Sequence, residues 1–178
     1  MSGRHGECRF GAFVLRLSLI GLLLGACGSD RDGVKRLKKA DAYVAAINWY
    51  VDSLPAPPPT TDGGGPGPVV VYVVNEQGGA INSDVQASVV SQLAGRKDDV
   101  TVRFADVRDD ALQLDVEDQP VKEDGVLLLV GDVDERPPPL EFDVDVYRNL
   151  NDEVAYTMKV SRNNSQVTAT AQTVGEQG

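Results

Sequence analysis

Few side chains in this sequence can carry chemistry, and most of them lie near one end. The only histidine is His5, and the only cysteines are Cys8 and Cys27, within the first 27 of 178 residues. From residue 28 onward there is neither imidazole nor thiol. Ser-His-Asp and Cys-His catalysis are excluded from that part of the chain, as are zinc and copper sites built on histidine or thiolate. Two cysteines so close to the N-terminus do not make a disulfide framework. No Gly-x-x-x-x-Gly-Lys-Ser/Thr loop is present. Gly63-Gly64-Gly65-Pro66-Gly67 precedes a strand-like run instead of following one, the wrong order for a dinucleotide turn.

Carboxylates are what is left. Asp132, Asp134 and Glu135 follow an apolar run, and Asp143 and Asp145 fall on the outward face of an alternating segment. Oxygen-rich clusters hold calcium, and paired carboxylates can perform acid–base hydrolysis. No Asp-x-Asp-x-Asp-Gly loop with a distal glutamate accompanies them, however. Solvated acidic turns and a charged strand that discourages aggregation account for the same residues. The single tryptophan, Trp49, lies before the main folded region, so no sugar-binding platform is visible. The expectation is a non-enzymatic protein with no catalytic residue, no metal ligand and no cofactor.

Charge is unevenly spread. The chain holds 17 basic and 27 acidic residues; setting aside Arg4, Arg9, Arg16 and Glu7 of the first 26 leaves 14 and 26. The remainder is strongly acidic and repels phosphate backbones, so no nucleic-acid partner is expected.

The first 26 residues have a different character. Residues 1–16 are basic, and Leu17 to Ala26 is a short apolar stretch rich in Leu, Ile, Gly and Ala. A helix needs about 20 apolar residues to cross a bilayer, and Arg16 interrupts any longer run. A basic region, a short apolar core and small residues make an export signal. Leu24-Gly25-Ala26-Cys27 closes this segment and resembles the lipobox of bacterial lipoproteins: an aliphatic residue, two small residues and a cysteine. The resemblance covers residues 1–27 only. It implies cleavage between Ala26 and Cys27 and a thioether-linked diacylglycerol on Cys27. It further implies that the membrane is a partner, with the protein lipid-anchored on the extracytoplasmic side of the cell membrane. No twin-arginine pair is present, which favours the general export route.

These landmarks need elements to position them. Residues 27–33 read as the lipidated N-terminus and a polar spacer. Arg31, Lys35, Arg36, Lys38 and Lys39 then form a basic collar, either an aid to binding anionic lipid at roughly 1 kcal/mol each or a solvated helix start. Over 34–54 the spacing of Tyr43, Val44, Ile47, Tyr50, Val51 and Leu54 predicts an amphipathic helix with one apolar face, Trp49 lying off its centre. Pro55 ends it. Residues 55–68 are a Pro/Gly-rich linker by composition.

Residues 69–174 form the expected folded domain. Val69–Val74 and Val126–Val130 read as buried strands, Asn82–Leu93 as a capped helix with Val85, Val89, Val90 and Leu93 on one side, and Val100–Phe104 as a strand. Leu140–Val146 alternates strictly. Val154, Tyr156, Met158 and Val160, then Val167, Ala169 and Ala171, face inward from two further strands. Asn163-Asn164-Ser165 matches a glycosylation sequon but reads as the hairpin turn between them. Residues 106–125 are acidic and show only weak alternation. The fold class is α+β: a mixed, mostly antiparallel sheet with one βαβ unit and helices packed on one face. Function is expected to be that of an envelope lipoprotein, a binding or scaffolding module. A ligand- or ion-binding accessory protein of a membrane complex is the alternative, and a carboxylate-dependent hydrolase a more distant one.

Overall fold

A computed structural model describes residues 36–55, 68–96, 100–163 and 166–175. The export segment, the lipobox with Ala26 and Cys27, the spacer at 27–33, and residues 56–67 of the linker lie outside the described residues.

Each hydrophobic pattern becomes the element its period requires. The short apolar runs form β1 (Val69–Asn75), β2 (Val100–Phe104) and β3 (Val126–Val130); the longer alternating ones form β4 (Leu140–Asn149), β5 (Asp152–Asn163) and β6 (Gln166–Thr173). They make one six-stranded sheet in the order β2-β1-β3-β4-β5-β6. β1 pairs in parallel with β2 and with β3, and the three remaining pairings are antiparallel. The fold is therefore α+β, with the expected βαβ unit running β1–α2–β2, where α2 is Ser83–Leu93. Asn82 caps α2 by accepting a hydrogen bond from the Asp84 N–H at 2.8 Å. Val89 and Leu93 are buried beneath it, whereas Val90, a hundred degrees further round, faces solvent.

Helix α1 (Lys39–Ser53) starts later than the expected residue 34, because Lys38 is extended (φ −94°, ψ 162°). The Asp41 carboxylate reaches back to the Lys38 N–H at 3.0 Å and caps the first turn. The helix departs from the one-faced pattern. Besides Tyr43, Val44, Ile47, Tyr50 and Val51, the small residues Ala40, Ala42, Ala45 and Ala46 are buried too. Only Lys39, Asp52 and Ser53 are fully exposed along its length. Alanine contributes little to a hydrophobic stripe but lets neighbouring elements come close. α1 thus shares one core with α2 and with the inner side chains of β1, β3, β4 and β5, with β6 packed against it. Trp49 meets Tyr156 of β5 edge-on, ring centroids 4.8 Å apart.

The helix carries one polar stripe, Asp41, Asn48 and Asp52, and arginines from elsewhere satisfy it. Arg162 of β5 pairs with Asp41 at 2.7 Å, both side chains nearly buried. Arg96, just beyond α2, donates to Asn48 and to Asp52.

The opposite side of the sheet has a smaller core. Here Val70, Tyr72, Val74, Leu127, Leu129 and Tyr147 are covered by Ala111, Leu112 and Val121. The covering segment, residues 105–125, is the crossover from β2 to β3. It contains two 3-10 turns, Arg108–Ala111 and Lys122–Asp124, and a single antiparallel bridge between Leu112 and Val121. Leu114 and Val116 are exposed; the weak alternation there is not a strand. Gly125 sits where the crossover dives under β1. A Cβ at that position would lie 2.8 Å from the Val70 carbonyl oxygen.

Two stability measurements check this packing. Asp41→Ala strands the Arg162 guanidinium in a nearly dry site and is expected to cost about 3 kcal/mol in denaturant unfolding. Gly125→Ala forces backbone apart and is expected to cost about 2 kcal/mol.

Candidate functional site

The carboxylates picked out by the sequence fall into two groups. Asp132, Asp134 and Glu135 follow β3 at the end of the sheet where β1 and β3 finish. α1 begins at that end, since Leu37 N–H donates to the Arg136 carbonyl. Glu135 accepts a hydrogen bond from the Lys39 N–H at 3.4 Å, and Asp132 lies 3.8 Å from the Lys39 ammonium. Both acids therefore stand against the positive end of the α1 dipole, a stabilising arrangement. Tyr43 has its pKa raised by burial and, secondarily, by the charge of Asp132. The same placement bears on the basic collar. Arg36, Lys38 and Lys39 are exposed, and Asp132 and Glu135 partly offset the charge of Lys39.

Asp143 and Asp145 do share the outward face of β4, with Glu141 in the same column. This half of the sheet, β4–β5–β6, is not covered by the 105–125 segment, so its outer face is open and polar. Pairing registers set the neighbours: Glu141 opposite Lys159, Asp143 opposite Thr157, Asp145 opposite Ala155, then Lys159 opposite Thr170 and Thr157 opposite Gln172. The Lys159 ammonium lies 2.9 Å from Glu141, and the Thr157 hydroxyl donates to Asp143 at 2.9 Å. Glu141, Thr157, Lys159, Thr170 and Gln172 floor a shallow trough of about 680 Å³ that runs out toward Val174 and Gly175.

Asp145 lies opposite Ala155 on β5, where Glu141 has Lys159 and Asp143 has the Thr157 hydroxyl. Burial raises its pKa, the charges of Glu153 and Asp143 add to the effect, and Arg108 opposes it. Arg108 belongs to the crossover; it grips Glu153 with both terminal nitrogens at 3.0 and 3.2 Å, and its guanidinium lies 4.1 Å from the centre of the Tyr147 ring. Tyr147 is fully buried and donates its hydroxyl to the Gln119 carbonyl at 2.9 Å. The crossover is thus latched to the edge of the open face by one arginine and one tyrosine.

A second constellation, which sequence reasoning missed, lies over β1 and β2. Glu123 accepts from Arg103 at 2.8 Å on each carboxylate oxygen and from the Tyr72 hydroxyl at 2.8 Å. Its pKa is lowered, chiefly by the hydrogen bond from Arg103, while that of Tyr72 is raised by burial and by its bond to Glu123. Glu123 holds φ +58°, and the adjacent Asp124 holds φ +50°, in the left-handed region. Three residues drawn from positions 72, 103 and 123 give no local signal; only the crossover brings them together.

Chemically, both constellations are occupied. Glu123, Glu141 and Asp143 each already have a partner, so none is a free base. Among the described residues, no three or more acids converge as a metal site, and no helix is long and apolar enough to cross a membrane. What the open face offers is a hydrogen-bonding surface of acids, threonines and glutamine. Compared with known protein families, with curated proteins and with solved structures, the chain matches none.

The electrostatics of Asp145 can be read by titration. Its raised pKa means that the fold disfavours the charged form. Stability contributed by the neutral form is present below the ordinary value of 3.8 and is lost as pH rises through the folded value. Asp145→Asn is therefore expected to raise the melting temperature at pH 7 by about 2 °C. The gain should vanish below pH 3.8, and an equal gain at both extremes would remove the electrostatic account.

Proposed function

We propose that this protein is a bacterial envelope lipoprotein, held on the extracytoplasmic side of the membrane by a diacylglycerol on Cys27. Its folded domain serves as a non-enzymatic binding or scaffolding module. The observation that carries this reading is the sequence Leu24-Gly25-Ala26-Cys27 at the end of a basic and then apolar segment.

The folded domain is consistent with such a role. α1 begins at Lys39, twelve residues after Cys27, so an extended tether reaches at most about 40 Å. The domain is held close to the surface by the end at which α1 starts. Asp132 and Glu135 offset the charge of Lys39, so stable attachment rests on the acyl chains. Single acyl chains give only marginal binding and two give stable anchoring; a diacylglycerol supplies two. The open polar face of β4–β5–β6 and the edge of β6 are then the surfaces available to partners in the envelope.

Replacing the thioether-forming side chain tests the reading directly. Cys27→Ser should abolish incorporation of labelled palmitate and leave the chain uncut, migrating above the wild type by the mass of the retained leader. A Cys27→Ser product that is still cleaved and still membrane-bound would overturn the anchor.

A further inference from the structure

The sheet ends in two very different edges. β2 is five residues long and carries Arg103. β6 is eight residues long, Gln-Val-Thr-Ala-Thr-Ala-Gln-Thr, with no charge, proline or glycine, and pairs with β5 without a bulge. Natural proteins blunt exposed edges with charges, prolines, bulges or short length, because a regular edge recruits another strand. Among the described residues β6 has no charge, proline, bulge or shortness to blunt it, although Asn48 and Asp52 of α1 and Arg96 stand beside its first half.

The backbone groups that face away from β5 can be identified. Val174 N–H donates to the Ala155 carbonyl, and hydrogen-bonded pairs alternate along an antiparallel ladder. The even-numbered residues therefore bond to β5, and Val167, Ala169 and Ala171 turn their N–H and C=O groups outward. Their side chains pack toward the core, while Gln166, Thr168, Thr170 and Gln172 are exposed on the open face.

Read about Ala169, the strand is nearly a palindrome: Thr168 and Thr170 flank it, then Val167 and Ala171, then Gln166 and Gln172. A two-fold axis through Ala169, perpendicular to the sheet, would set each residue opposite its counterpart. We propose that β6 is the dimerisation edge of this protein, pairing antiparallel with β6 of a second copy to give a continuous twelve-stranded sheet centred on Ala169. Val167, Ala169 and Ala171 would make about six inter-chain hydrogen bonds. On the exposed face Thr168 meets Thr170 of the other copy, a favourable cross-strand pair, and glutamine meets glutamine. No charge opposes a like charge. In a chain of net charge −10, this is an edge along which two copies can meet without repulsion at the contact. The two open polar faces would also join into one surface.

The proposal does not depend on the lipid anchor, and its test removes it. Full-length chains carrying Cys8→Ser and Cys27→Ser are expected to be dimers by light scattering at micromolar concentration. Thr168 and Thr170 of opposed chains form a non-hydrogen-bonded pair with Cα atoms about 4.5 Å apart, within the reach of a disulfide. An equal mixture of Thr168→Cys and Thr170→Cys chains in that background should cross-link on mild oxidation far more than either alone. The double variant T168K/T170K sets lysine against lysine on an exposed face and should weaken dimerisation about tenfold with an unchanged melting temperature. A monomer, or cross-linking no greater in the mixture than in the single variants, would overturn the proposal. So would a monomer whose β6 edge instead captures an extended segment of another protein.

Discussion

Everything in this fold depends on the enclosure of α1. A fifteen-residue helix with only three fully exposed positions must find apolar surface on nearly every side. The sheet supplies one side, α2 another and β6 a third. Four alanines make this possible by lowering the helix profile where neighbours approach. The polar residues left on the helix would be costly in such a place without partners. Arg162 of β5 and Arg96, just beyond α2, meet them. The pairs contribute less through their own strength than through preventing uncompensated burial, which is also why α1 can sit in only one rotation about its axis.

The crossover on the other face solves a different problem. β1 is flanked on both sides by parallel strands, so the chain must pass over one face to reach β2 and over the other to reach β3. The first passage is a regular helix; the second is not. Residues 105–125 cover the outer core with Ala111, Leu112 and Val121 and, less deeply, Ala105, and hold themselves in place by hydrogen bonds and ion pairs. Among the described residues, the three non-glycine residues with positive φ, Gln119, Glu123 and Asp124, all fall in this stretch. Such conformations persist where surrounding contacts over-determine them. For Glu123 those contacts are Arg103 and Tyr72.

The strands were legible in the sequence because their periods are unambiguous: continuous apolar runs for β1 and β3, which are buried on both faces, and strict alternation for β4. The Asn82 cap and the outward column of Asp143 and Asp145 follow from the same local rules. Legibility stopped where the determinant is tertiary. The all-round burial of α1 was hidden because alanine is silent in a hydrophobic stripe. The crossover was hidden because it has no period. Asp132 and Glu135 stood out as a cluster, yet their partner Lys39 lies more than ninety residues earlier, and only the fold explains them as supports for a helix terminus. The Arg103–Glu123–Tyr72 constellation was invisible for the same reason.

The course of the chain around α1 has a mechanical consequence. α1 enters at the end where β1 finishes and leaves near Arg96, at the end where β1 and β2 begin. α1 and β1, which flank residues 56–67 in the chain, belong to one folded unit. With an anchor at Cys27, any pull on the domain enters through Leu37, which is buried and bonded to the Arg136 carbonyl just ahead of α1. The component of that load along α1 is carried in shear by the whole length of the buried helix, and is not concentrated on one contact at a time as in peeling. A cut anywhere in residues 56–67 would break the covalent path from anchor to sheet but not this one: packing alone would keep the two joined.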